Sequence, residues 1–157
     1  MATVYSDVRT DLTQDNPKEF VKANTLGGRV RVAHASYEAS SLASGDVIEM
    51  FALPHGARII SGVLAHDALG SSTTLSVGHA AYVNAAGTTV ALDADEYKAA
   101  AASTSAQIVD IAATLALGAF SEVSLDSSKG NEFVVTATMG GAAGTGTIHV
   151  MMQYVVD

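Results

Sequence analysis

The chain has no cysteine and no tryptophan. Without cysteine there is no disulfide, no thiol nucleophile and no cysteine-bound metal centre, although this alone does not fix a compartment. Charged residues make up only 15% of the chain, against about a quarter in ordinary globular domains. Aromatics are 6%, so rings for stacking on sugars or bases are few. No apolar stretch is long enough to span a bilayer, because Ser, Gly, His or Asp interrupts each one. The first seven residues, Met1 to Asp7, are polar and lack the apolar region of a secretion signal. The expectation is a protein made and used in the cytoplasm of its host, or assembled there into a particle.

Catalytic motifs are missing as well. There is no GxSxG elbow and no SxxK pair. The segment from Gly140 to Gly146 is rich in glycine, but it does not spell GxGxxG and no GKS or GKT follows. It reads as a flexible hairpin loop between two strands. The acidic run Asp93-Ala94-Asp95-Glu96 lacks the spacing and glycine of a calcium loop. Five histidines (His34, His55, His66, His79, His149) are scattered along the chain. A metal site needs two or three that converge with carboxylates. His66 with Asp67, and His79 reached across a hairpin, form the nearest candidate; isolated strand and loop histidines are the simpler reading. No enzyme activity, cofactor or metal is expected. Carboxylate pairs cannot be placed from sequence, so glycoside hydrolysis is not strictly excluded, but nothing supports it.

What is present is small and apolar. Of the 157 residues, 48% are hydrophobic, many of them alanine. Such a core is compact, and each side chain in it buries little area, so an isolated subunit gains further burial from neighbours. The formal net charge is −8, unevenly spread. Up to Arg31 there are five basic residues against four acidic ones; beyond it there are three against twelve. An acidic body repels phosphate, which argues against nucleic-acid binding.

Residues 1–28 are polar, mixed in charge and punctuated by Asn16-Pro17 and Gly27-Gly28. They are expected to form an extended N-terminal arm, with a short helical turn around Lys18–Ala23; a disordered terminus is the alternative. Residues 29–157 are expected to form one body. Short alternating runs separated by turn residues predict strands at 29–37, 46–53, 58–66, 73–80, 107–113, 131–138 and 147–156, with a weaker one near 120–125. Asp93 and Glu96 stand at capping-box spacing before Lys98-Ala99-Ala100-Ala101-Ala102, which predicts one short helix over 93–103. The last strand is apolar on both faces in places (Met151, Val155), as in a strand covered by neighbours. About eight strands and one helix point to an all-β, two-sheet jelly-roll sandwich.

The runs Leu53-Pro54-His55-Gly56-Ala57-Arg58-Ile59-Ile60, His66 through Gly78, Asp93 through Tyr97, Gly141 through Val150 and Gln153 through Asp157 carry a resemblance. Their layout over residues 29–157 resembles the capsid decoration, or cement, proteins of tailed bacteriophages that have a jelly-roll body. Its motifs are structural, and the arm carries none of them. The resemblance implies a place on the outer capsid surface of a virion, bridging and stabilising neighbouring major capsid subunits. It also implies self-association as a homodimer or homotrimer. The implied partners are the major capsid protein and other copies of the chain, with no nucleic acid and no membrane.

Capsid contact is expected from the arm, through Leu12, Phe20, Val21 and Leu26, with Lys18, Lys22 and Arg29 for charge matching. The rival reading is a carbohydrate- or host-receptor-binding jelly roll, with Tyr37, Tyr82 and Tyr97 as its few candidate rings. Another minor head or tail component is a third.

Overall fold

The computed structural model describes residues 4–13, 20–22, 24–126 and 130–156. A short helix, α1 (Asp7–Thr13), precedes ten strands: β1 (Val30–Leu42), β2 (Val47–Leu53), β3 (Arg58–His66), β4 (Thr73–His79), β5 (Tyr82–Val83), β6 (Thr89–Val90), β7 (Asp93–Ala102), β8 (Gln107–Ile111), β9 (Phe133–Gly141) and β10 (Gly144–Val155). Two four-stranded sheets face each other, one in the order β1-β10-β3-β8 and the other β2-β9-β4-β7. All of their pairings are antiparallel. Omitting the β5–β6 ribbon, the eight body strands pair first-with-last, and the chain alternates between sheets at most steps. That is the topology of a jelly roll.

Alternation builds the core. In the first sheet Ile148, Val150 and Met152 of β10 stand opposite His66, Leu64 and Gly62 of β3. Leu64 and Gly62 stand in turn opposite Val109 and Ile111 of β8. In the second sheet Leu75, Val77 and His79 of β4 oppose Met139, Ala137 and Val135 of β9. These inward rows are almost entirely buried. Ala39, Ala57, Ala112 and Ala137 are buried among them. At these positions a small side chain lets the backbones approach closely, where a larger one would not fit; most of the described alanines lie outside the buried core.

Residues 93–103 form strand β7, not the expected helix. Asp93 does not cap a helix; its Oδ1 accepts the Asp95 N–H at 3.0 Å. β7 pairs with β4 through Ala101–Leu75, Lys98–Val77 and Asp93–His79, with two register shifts, and buries Tyr97 to 2% exposure. Helix propensity is worth a few tenths of a kcal/mol per residue; burying a tyrosine and completing a sheet contributes more. The expected strand at 120–125 is reduced to one isolated bridge, Arg58–Glu122. The segment is nonetheless tied to residues 56–59, with Val123 N–H donating to the Ala57 carbonyl at 2.8 Å. The glycine-rich stretch is no hairpin loop. Gly140 and Gly141 end β9, Gly144 opens β10, and the two strands lie in different sheets. Of the helical turn expected at 18–23, Lys18, Glu19 and Ala23 lie outside the described residues; the described turn covers 24–27, where Leu26 N–H reaches the Lys22 carbonyl at 3.1 Å.

Gly78 lies where β7 crosses closest to β4, and a Cβ there would run into the Asp93 carbonyl oxygen. Backbone atoms cannot swing aside, so Gly78→Ala is expected to lower stability by ~1–3 kcal/mol or more, the range for overpacking. Urea unfolding checks this: an unchanged midpoint would mean that the β4–β7 approach is looser than described.

Candidate interaction surface

The chemistry sought in the sequence is dispersed by the fold. His66 ends β3 in the first sheet, whereas His79 ends β4 in the second, so the candidate His66–Asp67–His79 trio is not assembled. His79 packs instead in an aromatic cluster, its ring 5.2 Å from Phe133 and 5.3 Å from Tyr82. Tyr97 lies beside them at 6.5 Å. Burial pushes the Tyr97 hydroxyl pKa well above its ordinary value, which keeps it protonated at any physiological pH. Among the described residues, no three histidine or carboxylate side chains converge as a metal site. His66 lies instead beside an open depression of about 370 Å³ that it lines with Asp67, Thr147 and His149. The Asp67 carboxylate accepts the Thr147 N–H at 3.1 Å. That bond, with His149 and His66 nearby, holds its pKa below the usual value.

Of the arm residues singled out from sequence, Leu12 lies on α1 and is 55% exposed; Phe20 and Leu26 are also exposed. Val21 is half-buried and Arg29 exposed. Lys18 lies outside the described residues. Lys22 is committed to an ion pair with Glu122 at 2.9 Å. Glu122 also holds Arg58 at 2.9 Å, and Arg58 donates a second bond to the Phe120 carbonyl at 3.1 Å. Asn24, 6% exposed, donates from Nδ2 to the Gly56 carbonyl at 3.0 Å. Lys22 and Asn24 are therefore tied down beside the start of β3. Sequence reasoning missed Glu122 altogether, since no local pattern marks a lone glutamate as the partner of a lysine a hundred residues away. It also missed Phe120, 57% exposed and held at φ 62°, a left-handed backbone that an aromatic residue rarely adopts.

None of the residues of α1 is fully buried; Val8 and Leu12 lie one turn apart on it, with Tyr5 just before it. A seven-residue helix is marginal in water on its own, so this segment gains most from docking elsewhere.

The outer face of the first sheet is also uncovered. Register places His34, Met151, Val63 and Asp110 in one outward row and Ser36, His149, Ala65 and Ile108 in the next. Ile108 is 79% exposed. The His34 and His149 rings stack with centroids 5.6 Å apart and planes 14° from parallel. In a chain of net charge −8, these two rows carry a single carboxylate, Asp110.

No family model matches the chain, and no curated protein matches it by sequence. Solved structures do match. The fold is similar to that of a chain in the capsid asymmetric unit of cyanophage Pam1, with a TM-score of 0.63 and 19% identity over 92% of this chain and 97% of that one. It is also similar to a chain in the capsid of Ralstonia phage GP4, with a TM-score of 0.59 and 23% identity over 83% and 86%. At these identities what is shared is the fold.

The Lys22 hydrogen bond, aided by the Lys22 and Arg58 charges, lowers the Glu122 pKa against the opposing effect of burial. A depressed carboxylate pKa contributes stability that is present above its ordinary value and lost as pH falls through the folded one. Glu122→Gln is expected to cost about 0.2–1 kcal/mol at neutral pH and to flatten the loss of stability on acidification. It should also speed tryptic cleavage after Lys22 at neutral pH. Wild-type cleavage rates would show that the ion pair does not hold the arm.

Proposed function

We propose that this chain is a non-enzymatic structural component of a phage virion that sits on the outer capsid surface as a decoration protein. In this reading it bridges and stabilises neighbouring major capsid subunits and associates with further copies of itself. One observation carries the reading. The fold is matched over 97% of a chain in the Pam1 capsid and 86% of one in the GP4 capsid. The matched chains are therefore similar in extent to this one, which supports a separate small component over a segment of a larger shell subunit.

The surface supports the same reading. The described residues show apolar and small side chains left outside the core. Contacts between proteins bury about 1,600 Å² in total, and an arm that leaves the body can supply a large share of that. We assign the capsid contact to residues 1–28, with Leu12, Phe20, Val21 and Leu26 as apolar contacts and Lys18, Lys22 and Arg29 for charge matching; residues 29–157 form the body. Lys22 would have to exchange Glu122 for a capsid carboxylate, or else serve only to aim the arm.

The sugar-binding alternative loses ground. Tyr97 is buried and Tyr82 is edge-packed on Phe133 at 4.8 Å, which leaves Tyr37 as its remaining candidate ring.

Sedimenting the purified protein with undecorated capsids tests the proposal. The expected result is saturable binding at a symmetry-related copy number, weakened about tenfold or more when residues 2–27 are deleted. Binding to glycans or cells without binding to capsids would sink it, and undiminished binding by the deletion would remove the arm from the contact.

A further inference from the structure

Three of the four sheet edges are blunted against further pairing, in ways that sheet proteins commonly use. β2 carries Glu49 and a bulge between Glu49 and Phe51. β7 shifts register twice and bears Asp93, Asp95, Glu96 and Lys98. β8 is only five residues long, and the Ala112 N–H just beyond it donates to the Tyr97 carbonyl of β7 at 2.9 Å. The fourth edge, β1, is different. It has thirteen residues, no proline and no lysine, and its outward face is exposed from Val30 to Ser40. Its one irregularity falls at the far end, between Ala39 and Leu42, where Ser41 has φ 55°. Among the described residues, no backbone hydrogen bond outside the β1–β10 ladder involves residues 30–42.

From this we infer that β1 is a self-pairing edge: the β1 strands of two copies meet antiparallel across a twofold axis and join their first sheets into one eight-stranded sheet. The occupant follows from the strand itself. A twofold axis perpendicular to the sheet keeps outward side chains opposite outward ones, because paired residues share a face. The register that overlaps the whole strand, roughly 40 Å of it, centres on Ser36. It sets Ser36 against Ser36, Ala35 against Tyr37, Ala33 against Ala39, and His34 against Glu38 twice. No like charges meet. The small side chains at the axis allow close approach, and the His34–Glu38 pairs fall on the outward face, where Glu38 already accepts the Thr147 hydroxyl at 2.7 Å. The regular stretch from Ala33 to Ala39 lies wholly within this register. At a net charge of −8, copies repel over most of their surface. β1, with Arg31 and His34 against one carboxylate, is an edge where they need not. The contact is isologous, so it closes at two copies and does not propagate.

The inference deepens the self-association part of the proposed function but needs no capsid for its test. The chain has no cysteine, so Ser36→Cys introduces a single thiol. At the axis two Cβ atoms approach to about 5 Å, near enough for a disulfide after slight adjustment. Under mild oxidation Ser36→Cys is expected to form a cross-linked dimer much faster than Ala100→Cys on the β7 edge. Ser36→Lys, which sets like charges face to face, is expected to weaken the solution dimer about tenfold or more by sedimentation equilibrium while leaving the melting temperature of the body near wild type. Equal cross-linking at the two sites, a monomer at all concentrations, or a trimer would overturn the interface. A β1 dimer that leaves capsids bare would sink the virion reading and leave this one standing; a monomer that coats capsids would do the reverse.

Discussion

The architecture depends on the pairing of the first body strand with the last. β1 and β10 run antiparallel from Val30 opposite Val155 to Leu42 opposite Gly144, so the sheet closes only after more than a hundred residues of chain have been made. β10 then serves as the template for the first sheet, with β1 on one side and β3 on the other. Its inward residues Ile148, Val150 and Met152 are fully buried, and its outward residues His149 and Met151 set the composition of the exposed face. Most of the fold's contacts are non-local in this way, a topology associated with slow folding. The arm inherits its position from the same pairing. Where β1 begins, beside the end of β10 and the start of β3, the preceding residues can reach Gly56 and Glu122.

The parts of this fold that were legible in the sequence are those governed by period-two burial. In β3, β10 and the ends of β9 the buried residues largely alternate, and residue patterning places them; β4 is buried almost throughout, and the central position of β10 follows from its two apolar faces. β7 was illegible for a physical reason. Only Tyr97 in it is deeply buried, and the rest is an edge of acidic residues and alanines. With almost no burial pattern to read, local propensity favours helix, while the strand is imposed by β4 and by the gap left above Gly78. The segment at 120–125 failed differently. It is apolar enough to suggest a strand, but its bonds go to Gly56, Ala57 and Ile59 around the start of β3, and Phe120 enters it in a left-handed conformation.

The candidate surface was legible only as composition. A chain low in charge and rich in alanine announces that it has faces to bury, but not where they are. Arm residues such as Leu12 and Phe20 could be picked out because they are apolar within a polar segment, and the structure leaves both exposed. Glu122 and the bare edge of β1 could not be found, because each is defined by what the rest of the fold places beside it, or fails to place.

Arm and edge also divide the molecule's surface by direction. Lys22 and Asn24 are tied beside the start of β3 through an ion-pair cluster and a hydrogen bond; the β1 edge runs along the side of the same sheet. A contact made through side chains of a terminal segment tolerates variation in its target's shape, whereas backbone pairing along a strand demands one register and one symmetry. A protein that must fit similar but non-identical sites on a shell, while binding its own copies in one fixed geometry, needs both kinds of contact. It also needs them on different elements, so that adjusting one does not strain the other. This chain keeps its irregular backbone and its mixed charge at the arm root and its unbroken strand at the edge. In the proposed function, that separation lets a small, alanine-rich sandwich hold a shell and a second copy of itself through different elements.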